Sequence, residues 1–86
     1  MPTISVFYGI VVRMYFNDHA PAHFHAIYEG FQATIAIEEL CVVEGRLPRR
    51  ALELVLDWAE LHKAELLENW QRCRNKQPPS KIDPLA

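Results

Sequence analysis

The sequence predicts an α+β fold: a three- or four-stranded antiparallel sheet followed by a long or bent C-terminal helical segment packed on one face. Two patterns predict it. Before residue 46, β-branched and aromatic residues stand in short runs that turn-forming residues separate, which is typical of an antiparallel meander. After residue 48, apolar residues recur at steps of three and four, which is the period of an amphipathic helix.

The first predicted strand covers residues 10–16, and residues 4–9 are interpreted as a lead-in to it. Period two places four apolar side chains on one face, which we expect to be the core face: Ile10, Val12, Met14 and Phe16. The opposite face is mixed and carries Arg13 and Tyr15. Further strands are predicted at residues 24–28, 32–38 and 41–43, with turns starting at Asn17, Glu29 and Glu44.

The helical pattern runs from residue 48 to about residue 74. A straight helix of that length would measure about 42 Å, whereas a compact domain of this size is only about 30 Å across. We therefore expect the helix to bend or break near His62, or its end to project. A projecting end would expose Leu66, Leu67 and Trp70 as an apolar interface for a partner protein.

Composition limits the class of protein. The chain has 86 residues, of which 50% are hydrophobic and 23% are charged, and this indicates a folded domain rather than a disordered chain. We expect one domain at residues 1–76 and an extended, mobile, Pro-rich tail at residues 77–86. The formal net charge of -2 argues against a protein that wraps duplex nucleic acid.

The N-terminus has no signal-peptide pattern, and no apolar run approaches the roughly 20 residues that span a membrane. Cys41 and Cys73 do not form a CxxC pair, so reduced thiols are favoured over a disulfide. These observations predict a cytoplasmic protein with no membrane association.

Residues 17–25 contain three of the four histidines, beside the carboxylate of Asp18. His23 and His25 are two residues apart in an extended segment, so their side chains project to the same side. His19 reaches the same space from across the turn. This cluster is the first candidate for a functional site.

Three interpretations of the cluster remain open. His19, His23 and His25 are able to bind a divalent metal such as Zn, Fe or Mn, together with a carboxylate. Alternatively, the imidazoles and Asp18 are the acid–base residues of an RNA-cleaving site that needs no metal. The third interpretation is structural, with the histidines bonded to the backbone of a turn.

Cationic and aromatic residues extend the RNA interpretation. Arg13 shares the mixed strand face and is a candidate for binding phosphate, and Tyr15 is a candidate for stacking a base. Arg46, Arg49 and Arg50 form a candidate phosphate-binding patch around a helix start. The alternative is that these arginines are solvated or pair with nearby glutamates.

Several segments together resemble a bacterial family, domain of unknown function 4160. The similar segments are residues 1–5, 7–10, 14–19, 21–25, 47–52 and 66–70. One departure is that alanines flank Pro21, where relatives carry a bulkier polar residue and a second proline, and this affects the expected loop shape. The resemblance implies a short bacterial protein encoded beside another small gene, in a pair similar to a toxin–antitoxin pair.

Two functions of different class follow. The first is a toxin-like enzyme that acts on RNA through the histidine cluster, with the arginines holding phosphate. The second is a non-enzymatic interaction module whose histidines are structural or bind a metal. Its partner would be the small protein encoded nearby, or a second copy of the chain bound through the C-terminal helix.

Overall fold

The computed structural model describes residues 2–16 and 18–86. Within these described residues, five strands form one antiparallel sheet in chain order: β1 (Thr3–Phe7), β2 (Ile10–Arg13), β3 (His23–Tyr28), β4 (Phe31–Ala36) and β5 (Cys41–Gly45). Two helices follow, α1 (Arg49–Leu61) and α2 (Lys63–Arg74). The predicted α+β arrangement is confirmed. Asn17, where a turn was predicted to start, lies outside the described residues.

The sheet has one strand more than the three or four predicted, because the lead-in segment forms β1. Tyr8 and Gly9 both have positive φ, 51° and 79°, and form a two-residue turn that folds β1 back onto β2. Such turns match the right-handed twist of the strands they join. The β3–β4 turn at Glu29 and Gly30 has the same sign of φ at both residues and lies where a turn was predicted.

Period two predicts the core face correctly from Ile10 to Met14. Ile10, Val12 and Met14 are fully buried, as expected. The predicted strand is too long, however, since β2 ends at Arg13, the last residue that pairs with β3. Phe16 lies beyond the sheet and is 42% exposed, so its assignment to the core is corrected.

The helical segment breaks at His62, one of the expected outcomes. Its backbone N–H bonds to the carbonyls of both Trp58 and Ala59, and α2 starts at the next residue. The domain measures 33 × 25 × 22 Å, which is shorter than the predicted straight helix. Breaking the helix lets both halves cover the sheet, so neither end projects.

The break also corrects the predicted partner interface. Leu66 and Trp70 are 0% and 4% exposed, and Leu67 packs against the core. These side chains belong to the interior of the domain, because α2 folds back with its apolar stripe inward. They are therefore not an exposed surface for a partner.

The last ten residues lack helix and strand, but they are bound to the domain rather than free. Ile82 is buried, and its backbone N–H donates to the carbonyl of Ile4 on the outer edge of β1 (2.8 Å). The indole of Trp58 donates to the carbonyl of Asp83 (2.8 Å). The expected mobile tail is instead a segment that covers the edge of the sheet.

Candidate functional site

The sheet has a covered face and an open face, and the candidate site lies on the open face. The helices pack on the face that carries Phe24, whose ring meets Trp58 of α1 (centroids 5.9 Å apart). His23 and His25 alternate with Phe24 and therefore project from the opposite face, except that His23, the first residue of β3, also meets Trp70 of α2 at the end of the strand. The predicted common side for these two histidines follows from this strand geometry.

Strand register places a row of polar side chains across the open face. The row runs through consecutive Cα partners on all five strands: Thr3, Arg13, His25, Thr34 and Glu44. His25 is at its centre. The loop between β2 and β3 brings Asp18 over this row.

Asp18 joins the two strand histidines. Its Oδ2 atom lies 2.8 Å from Nε2 of His23 and 3.3 Å from Nε2 of His25. The three groups are partly buried, with side-chain exposures of 12% for His23, 13% for His25 and 23% for Asp18. The backbone N–H of His19 donates to the other carboxylate oxygen (3.2 Å) and helps to orient it.

The second nitrogen of each imidazole is also held. Nδ1 of His23 donates to the carbonyl of Pro21 (2.8 Å), and Nδ1 of His25 lies 3.3 Å from the hydroxyl oxygen of Thr34. With Nδ1 held in this way, Nε2 of each ring faces the Asp18 carboxylate. Both histidines thus point Nε2 at the Oδ2 atom of Asp18.

Aromatic packing fixes the ring planes. The ring of Tyr15 packs against His25 (4.5 Å between centroids), and Trp70 of α2 packs against His23 (5.0 Å). The two imidazoles meet edge to face, with centroids 5.1 Å apart. Tyr15 therefore contacts the ring of His25, and its role in stacking a base stays a prediction.

The electrostatics favour an ionised Asp18. Burial acts to raise the pKa of this carboxyl, but hydrogen bonds from His25 and His23, attraction to His23 and the His19 backbone N–H outweigh it. The net effect lowers the pKa of Asp18 below its ordinary value. The site therefore holds a carboxylate facing two imidazole nitrogens.

These three groups have the geometry of metal ligands. One ligand atom from each of Asp18, His23 and His25 lies within 4.8 Å of the other two. His19, the third ligand in the sequence-based prediction, does not belong to this group. Its side chain is exposed and lines the wall of the neighbouring cavity.

The cavity beside these groups, which we call the histidine cleft, has a volume of about 440 Å³ and opens to solvent. Among residues 2–16 and 18–86, nine line it: Asp18, His19, Ala20, Pro21, His23, His25, Thr34, Val43 and Glu44. All four residues of the predicted acid–base set are among them. The cleft gives a small molecule access to the three candidate ligands.

The predicted cationic residues are not all near the cleft. Arg13 in β2 is the cross-strand partner of His25, but it does not line the cleft. Its Nε atom is buried without a hydrogen-bond partner among the described residues. The guanidinium of Arg46 lies over the ring of Phe31 (5.1 Å).

The arginines at the start of α1 are also separate from the cleft. Arg50 lines a different cavity, with Tyr28 at the far end of β3 from His23, and approaches Glu53 at 3.7 Å. Arg49 is exposed at the start of α1. The candidate phosphate patch is therefore not joined to the histidines.

Three contributors to the site were missed by sequence analysis: Thr34, Glu44 and Trp70. Period two in residues 32–38 puts Thr34 opposite the apolar residues, so its face was predictable. Its contact with His25 depends on strand register, and the contact of Trp70 with His23 depends on the helix break. Neither has a signal in the local sequence.

The described part of the chain contains no helix that is both long and apolar enough to cross a membrane. Comparison with known families matches residues 9–71 to a domain of unknown function, DUF4160. No curated protein and no solved structure matches the chain. The match spans most of the chain and contains the whole histidine cleft. The chain belongs to the DUF4160 family.

Proposed function

We propose that this domain binds a divalent transition-metal ion through Asp18, His23 and His25, and that it acts through the bound ion. The convergence of the three ligand atoms within 4.8 Å carries the proposal. Ligand atoms around a zinc ion lie about 3.3 Å apart, given metal–ligand distances of about 2.0–2.1 Å. The observed contacts of 2.8 and 3.3 Å are close to this spacing.

The groups behind the ligands support the proposal. Metal-binding histidines usually donate their other ring N–H to a carbonyl, carboxylate or similar acceptor, which fixes the tautomer. Pro21 accepts from His23, and the Thr34 hydroxyl is available to accept from His25.

The donor set indicates which metals fit. Two imidazole nitrogens and one carboxylate oxygen suit Zn, Fe or Mn, and three protein ligands leave coordination positions open. Such an ion supplies Lewis-acid chemistry and acidifies a bound water. Pro21 and Thr34 orient the two histidine ligands, and the histidine cleft beside them is open to a substrate.

The first test is the metal content of untagged protein, measured by elemental analysis after incubation with Zn, Fe(II) or Mn. We expect about one equivalent per chain in the wild type and in His62→Ala, the matched control. His62 contacts Glu65 on the helical side of the domain. We expect the metal to be lost in the double variant His23→Ala/His25→Ala and retained in His19→Ala.

Two results would contradict the metal proposal. One is a wild-type protein that takes up none of the three metals. The other is full metal content in the folded double variant, since the ion would then lie elsewhere. Circular dichroism spectra show whether each variant is folded.

A second proposal is that the histidine cleft cleaves RNA without a metal, as the toxin-like component of a pair. The observation in its favour is that two imidazoles and a carboxylate line an open cleft, with Arg13 next to His25 in the sheet. None of Arg46, Arg49 and Arg50 lines the cleft, which makes it the weaker proposal. RNA degradation that persists with a chelator and disappears in His23→Ala/His25→Ala would support it.

A cytoplasmic location is also proposed. It is supported by the two free thiols, of which Cys73 is buried and Cys41 exposed. A protein whose thiols are both reduced when it is extracted from cells under alkylating conditions would agree with this location.

A further inference from the structure

The histidine cleft continues along the open face of the sheet. A second cavity of about 310 Å³ shares His25, Thr34 and Glu44 with it and extends to Gln32 and Gly45. The two cavities therefore form one groove, with the candidate metal ligands at one end. Glu44 lines both parts, as His25 and Thr34 do.

An irregularity in β5 places Glu44 in this groove. Thr34 pairs with Glu44 and Ile35 pairs with Val42, so Val43 is an extra residue relative to β4. Val42 pairs with Ile35, which is buried on the core side. Regular alternation from Val42 would return Glu44 to that same side, and the bulge turns it to the open face instead.

The groove has an acidic character. Its lining includes two carboxylates, Asp18 and Glu44, and contains no lysine or arginine among residues 2–16 and 18–86. Glu44 is exposed and makes no ion pair within that described part of the chain. Arg13 in β2 and Arg46, which follows β5, do not line the groove.

We propose that Glu44 sets the charge selectivity of the open side of the metal site, so that the groove takes neutral or cationic polar ligands and rejects anions. This inference rests on the proposed metal site. Two neutral imidazoles and the Asp18 carboxylate leave a divalent ion with one net positive charge, which alone would attract anions. The Glu44 carboxylate cancels that charge and repels phosphate and other anions as they enter.

The test measures the affinity of the cobalt-loaded protein for azide, followed by the visible absorption of Co(II). Two unit charges about 8 Å apart, in a medium of dielectric constant about 40, alter the affinity of an anion about fivefold. We therefore expect Glu44→Gln to bind azide about fivefold more tightly than wild type at low salt. The difference shrinks as salt is added.

Glu60→Gln is the matched control, because it removes the same charge from an exposed site on α1. We expect its azide affinity to equal that of the wild type. Inorganic phosphate and a short single-stranded RNA serve as further probes, and we expect both to bind Glu44→Gln more tightly than wild type.

The selectivity role of Glu44 is overturned if Glu44→Gln binds azide no more tightly than wild type. It is also overturned if Glu44→Gln binds azide no more tightly than Glu60→Gln. Tight binding of phosphate or RNA by the wild type, unchanged in Glu44→Gln, also overturns it and favours a phosphodiester ligand. A wild-type protein without cobalt absorption bands contradicts the metal site itself, and so separates that failure from a failure of Glu44.

Discussion

At the scale of single residues, the site depends on groups that direct the ring nitrogens of its histidines. Pro21 holds His23 through a backbone carbonyl, which no side-chain substitution removes. Thr34 holds His25 through a hydroxyl, so its role is open to direct test. Substitution can therefore remove the contact that orients His25, but not the one that orients His23.

Thr34→Val preserves side-chain shape and removes the hydroxyl. We expect it to weaken zinc binding about 10- to 100-fold, because His25 loses the side-chain contact that orients its ring. Competition with a chromophoric chelator measures the affinity. Thr34→Ser restores the hydroxyl and should bind zinc nearly as well as wild type; equal affinities for all three proteins would contradict the role of Thr34.

The two cysteines differ in environment. Cys73 is 1% exposed, and its burial raises the pKa of the thiol, so the reactive thiolate forms only above the usual pH range. Cys41 is exposed on β5. With a disulfide reagent at neutral pH, we expect one thiol per folded chain to react and two in denaturant.

Cys41→Ser provides the control for this assignment. We expect no fast-reacting thiol in the folded variant, and one after unfolding. A fast reaction of the folded Cys41→Ser protein would show that Cys73 is accessible, contrary to its position in the core.

At the scale of elements, turns and a bulge decide which side chains face the site. Tyr8–Gly9 and Glu29–Gly30 are tight turns that set the register of β1 with β2 and of β3 with β4. Gly45 follows the β5 bulge with φ of +77°. A Cβ at this position would overlap the backbone carbonyl oxygen of Gln32, which accepts the N–H of Arg46.

Gly45→Ala therefore combines an unfavourable backbone conformation with a clash against backbone. We expect it to lower the free energy of unfolding by at least about 2 kcal/mol. Gly30→Ala is the matched control: its φ of +84° is equally unfavourable, but nothing lies within 4 Å of the added Cβ. We expect this control to lose only about 1 kcal/mol.

Urea unfolding followed by circular dichroism measures both alanine variants. Equal losses of stability would show that the close approach to Gln32 does not matter. A larger loss in Gly30→Ala than in Gly45→Ala would contradict the described geometry.

At the scale of the whole molecule, the C-terminal segment completes the domain. It bonds to β1 through Ile82, to α1 through Asp83 and to α2 through Ser80. In the last contact, the buried amide of Asn69 donates to and accepts from the backbone of Ser80, both at 2.8 Å. The segment thereby covers the β1 edge and satisfies polar groups on both helices.

Ile82→Ala tests the contribution of this segment. Because Ile82 is 4% exposed and belongs to the core, we expect a loss of about 2–4 kcal/mol in the free energy of unfolding. Lys81→Ala, at the exposed neighbouring position, should change it by less than about 0.5 kcal/mol. Similar stability for both variants would indicate that the segment is not packed in solution.

Much of the fold was predictable because its signals are local. The face of β2 that carries Ile10 and Val12, the turn at Glu29–Gly30 and the change from period two to a helical period all depend on neighbouring residues. β1 was missed because a Tyr-Gly turn is a weaker signal than Asn-Gly or Asp-Gly. A straight helix over residues 48–74 would be longer than the domain is wide, which correctly predicted a bend, a break or a projecting end. This comparison of lengths did not decide among the three.

The sequence by itself determined that two histidines two residues apart would share one face of a strand, and that a carboxylate would lie near them in the chain. Tertiary structure alone decided that Asp18 rather than His19 joins them, because this depends on how the β2–β3 loop crosses the sheet. It also brought Thr34, Glu44 and Trp70 to the site. Strand register, a bulge and a helix break are set by contacts between distant segments, and no local period encodes such contacts.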